Sequence, residues 1–239
     1  MKKAIVLGAS SGIGREIALL LAAEGYSVGI TGRRFEMLTE LSSKNQEVFI
    51  PQQMDISFLE DTVNLLNELV SKLGGMDLLV LSSGTGDINE MLNFDIEKRT
   101  IDTNVKGFTN IVDWAYQFFK NQNSGHLVAI TSIAGLRGNG SAPAYNATKA
   151  FQINYLEGLR QKVHKQKIPI IITDIRPGFV DTDMAKGDGK FWVSTIEKAS
   201  RQIVKAIHRK KKVVYVTKRW RIIALILRVL PRFIYDRMG

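Results

Sequence analysis

The sequence predicts one α/β domain: a single doubly wound parallel sheet with helices on both faces. Short apolar, β-rich runs alternate with longer segments of helical pattern along the chain, which is the rhythm of repeated strand–helix units. No internal repeat, low-complexity linker or composition break interrupts that rhythm before residue 217. A chain of 239 residues with 45% apolar content is enough for one sizeable core.

The elements follow in order. AIVLG (4–8) reads as the first strand and GREIALLLAAEG (14–25) as the helix after it. SVGITG (27–32) and FEMLTELSSK (35–44) repeat the pair, as do EVFIPQQMD (47–55) and LEDTVNLLNELVSKL (59–73). DLLVLSSG (77–84) then leads into a long helical stretch reaching Phe119. HLVAITS (126–132), the helix from Tyr145 to Lys165, and IPIIITDIRPG (168–178) continue the alternation. The helix 194–210 and the last strand KVVYVT (212–217) complete it. Ligands of such a sheet lie beyond the carboxyl ends of its strands.

Charge separates the chain into two parts. The total is +10, but residues 201–239 hold twelve Lys or Arg against one acid, Asp236, and so carry +11. The first 200 residues carry 21 bases and 22 acids, or −1. A near-neutral body with a cationic end argues against nucleic acid and for a local partner of the tail. We therefore divide the chain into an α/β domain, 1–217, and a basic amphipathic extension, 218–239. With no cysteine, and with His126, His164 and His208 far apart, no metal centre is expected. The apolar start is too short for a signal peptide, so a cytoplasmic location is expected.

The first strand runs into GASSGIG, Gly8 to Gly14, and a helix begins at once. Glycines allow backbone to approach a phosphate, and the free N–H groups of the helix start favour its charge. A glycine turn alone also suits a bare tight connection; the strand before it and the helix after it favour a dinucleotide. At the end of the second strand stand Gly32, Arg33 and Arg34, where an NAD site would offer an acid to the ribose. Either these guanidiniums pair a 2′-phosphate, which favours NADP(H), or they are a solvated strand end.

Tyr145 and Lys149 are four residues apart, hence neighbours on one helix face. A nearby ammonium favours the phenolate and lowers the pKa of the tyrosine, giving an acid/base suited to a carbonyl/alcohol couple. Alone this spacing is commonly a surface pair. Here Ser132, thirteen residues upstream at the end of HLVAIT, adds a hydroxyl able to bond a developing oxyanion.

At this point the sequence resembles the short-chain dehydrogenase/reductase family over nearly its whole length. The matching pieces are GASSGIG, Asp55-Ile56, Asn104 in TNVKG, Ser132, YNATK at 145–149 and RPGFVDTDM at 176–184. The resemblance implies a Rossmann-type fold in which Gly8, Ser10, Ser11, Gly12, Ile13 and Gly14 surround the pyrophosphate and adenosine ribose. Asp55 and Ile56 then flank the adenine, with Ser83 and Gly84 near the cofactor ribose. It further implies that Tyr145 exchanges the proton, Ser132 holds the carbonyl oxygen and Lys149 grips the nicotinamide ribose. Asn104 anchors a water of the proton relay, or is a structural amide that distorts its helix. Pro177, Gly178, Val180 and Thr182 border the nicotinamide. A homodimer or homotetramer is expected on the same ground.

Two departures stand out. Leu7 precedes the glycine motif where the family usually has threonine, and Leu81-Ser82-Ser83-Gly84 replaces Asn-Asn-Ala-Gly. The lid segment 185–194 is short, and Phe179, Phe191 and Trp192 either wall the substrate pocket or pack the lid onto the body. The tail KRWRIIALILRVLPRFIYDRMG is too short and charged to span a bilayer. It suits either an anionic membrane surface, making the chain peripherally membrane-associated, or packing against protein. The leading function is an NADP(H)-dependent oxidoreductase of a lipophilic carbonyl/alcohol substrate, a ketone or 3-keto acyl type. The alternative is a non-catalytic NADP(H)-sensing or interaction protein on the same fold.

Overall fold

In the computed structural model, which describes residues 1–184 and 191–237, the strands are β1 (Lys3–Leu7), β2 (Ser27–Gly32), β3 (Phe49–Gln53), β4 (Leu78–Leu81), β5 (Gly125–Ile130), β6 (Ile170–Pro177) and β7 (Val213–Val216). They form one parallel sheet in the order β3-β2-β1-β4-β5-β6-β7. Both faces are covered, so the central strands are apolar throughout and neighbouring residues divide between two cores. Val6 packs with α1 (Gly12–Ala23), α2 (Phe35–Ser43) and α7 (Ile196–His208) on one face. Leu7 packs with α3 (Leu59–Leu73), α5 (Phe108–Gln122) and α6 (Pro143–Gln166) on the other.

Between β1 and β4 the winding reverses, which opens a crevice beyond their carboxyl ends. The crevice is narrow at its base. Gly8 adopts φ +83°, and a Cβ there would lie 2.7 Å from the Ser83 nitrogen. The chain after β4 continues through α4 (Phe94–Ile101) and a π-helical turn, Asp102–Gly107, into α5. A 3₁₀ turn, Ile133–Leu136, joins β5 toward α6.

The tail is helical: α8 (Trp220–Val229), then Pro231, then α9 (Arg232–Tyr235). Trp220 and Ala224 are buried on the body. Arg137 donates from Nη1 to the Leu227 and Leu230 carbonyls at 3.3 and 3.1 Å, satisfying the end of α8 with a cation. Among the described residues no helix is long and apolar enough to cross a membrane.

Candidate active site

A cleft of about 1400 Å³ runs across the carboxyl ends of the strands. One end is built from the β1–α1 turn. Gly12 adopts φ +58°, and Gly14 lies so close to the turn that a Cβ would sit 2.2 Å from the Gly8 oxygen. Ser11 occupies the start of α1 without a side-chain capping bond, leaving the first-turn N–H groups free of a side-chain partner. Gly8, Ser10, Ser11, Gly12 and Ile13 line the cleft, while Gly14 supports the turn from behind.

Arg33 and Arg34 stand at the same end. Arg34 Nη2 donates to the Ser11 hydroxyl at 2.6 Å and lies 3.2 Å from that of Ser10. Arg33 contributes its carbonyl, which accepts from Gln53. Asp55 accepts from the Ser57 backbone N–H and hydroxyl at 3.0 and 2.8 Å, fixing the turn that brings Ile56 to the cleft. An uncapped helix start, a turn open to close backbone approach and an arginine held beside it together fit a nicotinamide dinucleotide.

The other end holds Ser132, Tyr145 and Lys149. Ser132 leaves β5 in extended backbone, and its hydroxyl accepts from the Ala134 N–H at 3.1 Å. The loop is pinned by Asn146, whose amide donates to the Ala134 and Arg137 carbonyls, each at 2.9 Å. The Ser132 hydroxyl stands near enough to the Tyr145 phenol to favour its ionised form. Gly86 packs on that ring so closely that a Cβ would come within 2.2 Å of it.

Lys149 is 4% exposed. Its Nζ donates to the Ile130 carbonyl at 3.2 Å and to Gln152 Oε1 at 3.1 Å, and sits 5.8 Å from the centre of the Tyr145 ring. Burial lowers its pKa to about 8, against which the Asp174 carboxylate favours the ammonium. The expected lowering of the Tyr145 pKa by this ammonium does not appear. Burial dominates and raises the phenol above its ordinary value, opposed only by the Ser132 hydroxyl. The reason is geometric: the donors of Lys149 turn to Ile130 and Gln152 rather than to the phenol oxygen.

Asn104 is fully buried in the π-helical turn, where i→i+5 bonding bulges the helix. Its side chain accepts from the Thr85 N–H at 2.9 Å and donates to the Thr85 carbonyl at 2.7 Å. It therefore clamps the loop that carries Ser83 and Gly84 into the cleft. Its own carbonyl accepts from Gln152 Nε2 at 2.9 Å. Gln152 thus bridges Lys149 and Asn104 directly, a role that its place three residues past the lysine did not announce.

Sequence reasoning also missed the layer beneath. Thr131 donates to Asp174 Oδ1 at 2.6 Å, and Arg176 pairs with Oδ2 through Nε at 2.8 Å and Nη2 at 2.6 Å. Arg176 in turn donates to the Tyr215 hydroxyl at 3.1 Å. Pro177, Gly178, Val180 and Thr182 follow along the cleft wall. Gly178 is pressed against the tail: a Cβ would lie 2.0 Å from the Trp220 ring. Trp220 and Phe179 line the cleft, whereas Phe191 and Trp192 pack around Trp220, with centroids 5.0 and 6.1 Å away. Residues 185–190 of the lid lie outside the described residues.

The reversed winding and the cleft at its switch point define a doubly wound α/β domain of the dinucleotide-binding class. The chain belongs to the short-chain dehydrogenase family, whose model matches residues 2–191. It is 34% identical over 188 residues to an uncharacterized oxidoreductase of Myxococcus xanthus, covering 77% of this chain and 74% of that one. An uncharacterized oxidoreductase of Staphylococcus saprophyticus is 33% identical over 190 residues, covering 77% and 80%. A short-chain dehydrogenase from Streptomyces avermitilis shares the fold with a TM-score of 0.81 at 23% identity, covering 95% of this chain and 91% of that one. The family uses a nicotinamide cofactor.

Proposed function

We propose that the protein interconverts a carbonyl and an alcohol on a lipophilic substrate with NADP(H). The observation that carries the chemistry is that the Ser132 hydroxyl and the Tyr145 phenol line one cleft, with Lys149 buried one turn behind. When bound, the nicotinamide supplies or accepts hydride at the carbonyl carbon.

The chain's own residues do the rest. Ser132, fixed by Asn146 through its loop, orients the substrate oxygen against Tyr145. Tyr145, with its pKa above the ordinary value, is the protonated donor that a carbonyl oxygen needs during reduction. Lys149, held by Gln152, would donate to the ribose hydroxyls of a bound nicotinamide nucleotide. Arg34, beside Ser10 and Ser11, supplies the donors for a 2′-phosphate, and Gly32 offers no carboxylate to a free ribose. Phe179, Trp220 and Leu227 give the cleft wall an apolar stretch beside Gly178, which supports a lipophilic substrate.

The test is an NADPH-oxidation screen over aldehydes, steroids, 3-keto acyl esters and sphingoid ketones. Turnover of at least one carbonyl with NADPH is expected, with weaker use of NADH. Oxidation of neither cofactor across all four classes contradicts the proposal.

A further inference from the structure

The tail helix has two faces, and the fold uses one of them. Trp220, Ala224 and Leu227 turn inward, onto Gly178 and the cleft wall. Ile222, Leu225, Ile226 and Val229 recur at i, i+3, i+4 and i+7 and therefore form one stripe of α8. All four are exposed, Leu225 by 64% and Val229 by 71%, and Phe233 in α9 extends the surface at 67%. Scattered exposed apolar residues are ordinary, but a continuous helical stripe of this kind marks an interaction surface.

Its surroundings indicate the partner. Residues 218–237 hold six bases, Lys218, Arg219, Arg221, Arg228, Arg232 and Arg237, against Asp236 alone. Arg221 and Arg228 flank the stripe one residue before Ile222 and Val229 and are exposed. Apolar side chains bordered by arginines match an anionic lipid surface, where the aliphatics enter the acyl boundary and the cations meet headgroups. An apolar interface between copies would instead gather these like charges against one another.

We propose that α8 and α9 dock the protein on anionic bilayers. The inner face of the same helix walls the substrate end of the cleft, so docking brings that end of the cleft close to the lipid. This gives a lipophilic substrate, if the function proposed above holds, a short path from bilayer to Tyr145. The docking itself depends on neither cofactor nor turnover.

The experiment is flotation of the full chain with vesicles of pure phosphatidylcholine and with vesicles containing phosphatidylglycerol. We expect flotation with the anionic vesicles, about tenfold less with the neutral ones, and loss on adding salt. The double variants L225E/V229E and R221E/R228E should each lose anionic flotation by about tenfold or more. Circular dichroism melting, which needs neither cofactor nor substrate, checks that the variants are folded. No flotation of the folded wild type, equal flotation on neutral vesicles, or folded variants that float like wild type would each overturn the proposal. So would a wild-type oligomer that fails to float and that L225E/V229E splits, since the stripe would then be an interface between copies.

Discussion

Gln152 bridges Lys149 and Asn104: Lys149 donates to its Oε1 at 3.1 Å while its Nε2 donates to the Asn104 carbonyl at 2.9 Å. The amide cannot flip without placing an NH₂ against an ammonium and an oxygen against a carbonyl, so its orientation is fixed. The bridge sets where the ammonium points and helps keep a buried lysine charged.

Changing Gln152 should therefore move a pH profile in a sign-dependent way. In Gln152→Leu the ammonium loses an acceptor, the Lys149 pKa falls below about 8, and the alkaline limb of kcat/KM shifts down by about one pH unit. Gln152→Glu places a carboxylate there and should shift the same limb upward. A purely structural role would lower activity in both variants and leave the limb in place.

Lys149 should also give cofactor binding a pH dependence. Its pKa is depressed to about 8, so below that value it is an ammonium able to bond a ribose hydroxyl. As pH rises through about 8, NADPH affinity should weaken by about tenfold, the worth of one charge-assisted hydrogen bond. Titration of NADPH by fluorescence across this range checks it, and Lys149→Met should be weak and flat throughout.

Arg34 should decide between the two dinucleotides. Arg34→Ala is expected to weaken NADPH by about tenfold to a hundredfold, the range for a hydrogen bond to a charged group, while NADH changes little. Paired titrations measure this, and equal losses for the two nucleotides would contradict a 2′-phosphate role.

His126 should make stability fall in acid. Its imidazole is buried against Thr173, at 2.8 Å, and burial, then the charges of Lys210 and His208, lower its pKa from 6.5 to about 4. The unfolded chain takes up a proton near 6.5 that the folded chain refuses until about 4. The stabilisation is thus complete above 6.5 and is lost as pH falls between these values, by about 3 kcal/mol in all. Urea unfolding of wild type and His126→Gln across that window checks it; the variant should show a flatter dependence.

The sheet, its winding and the glycine turn were legible because each follows from local pattern: strand runs, helical spacing and a turn that needs backbone room. Tyr145, Lys149 and Ser132 were legible because they fall at fixed distances on one helix and one strand end. What sequence left open depends on partners remote in the chain. The hold of Asn104 on Thr85 spans 19 residues, and Asp174 reaches Thr131 across 43. Arg137 meets the α8 carbonyls 90 and 93 residues on. Nor could spacing show that burial, rather than Lys149, sets the direction of the Tyr145 shift, since that depends on how α6 packs against β5.

The most direct test of the account is single-turnover kinetics of Tyr145→Phe beside NADPH titration. The variant keeps the ring that packs on Gly86 and removes only the hydroxyl that meets Ser132. We expect the rate of carbonyl reduction to fall by about 10²–10⁴-fold with NADPH affinity within about twofold of wild type. Wild-type turnover by this variant would contradict the assignment of Tyr145 as the proton donor.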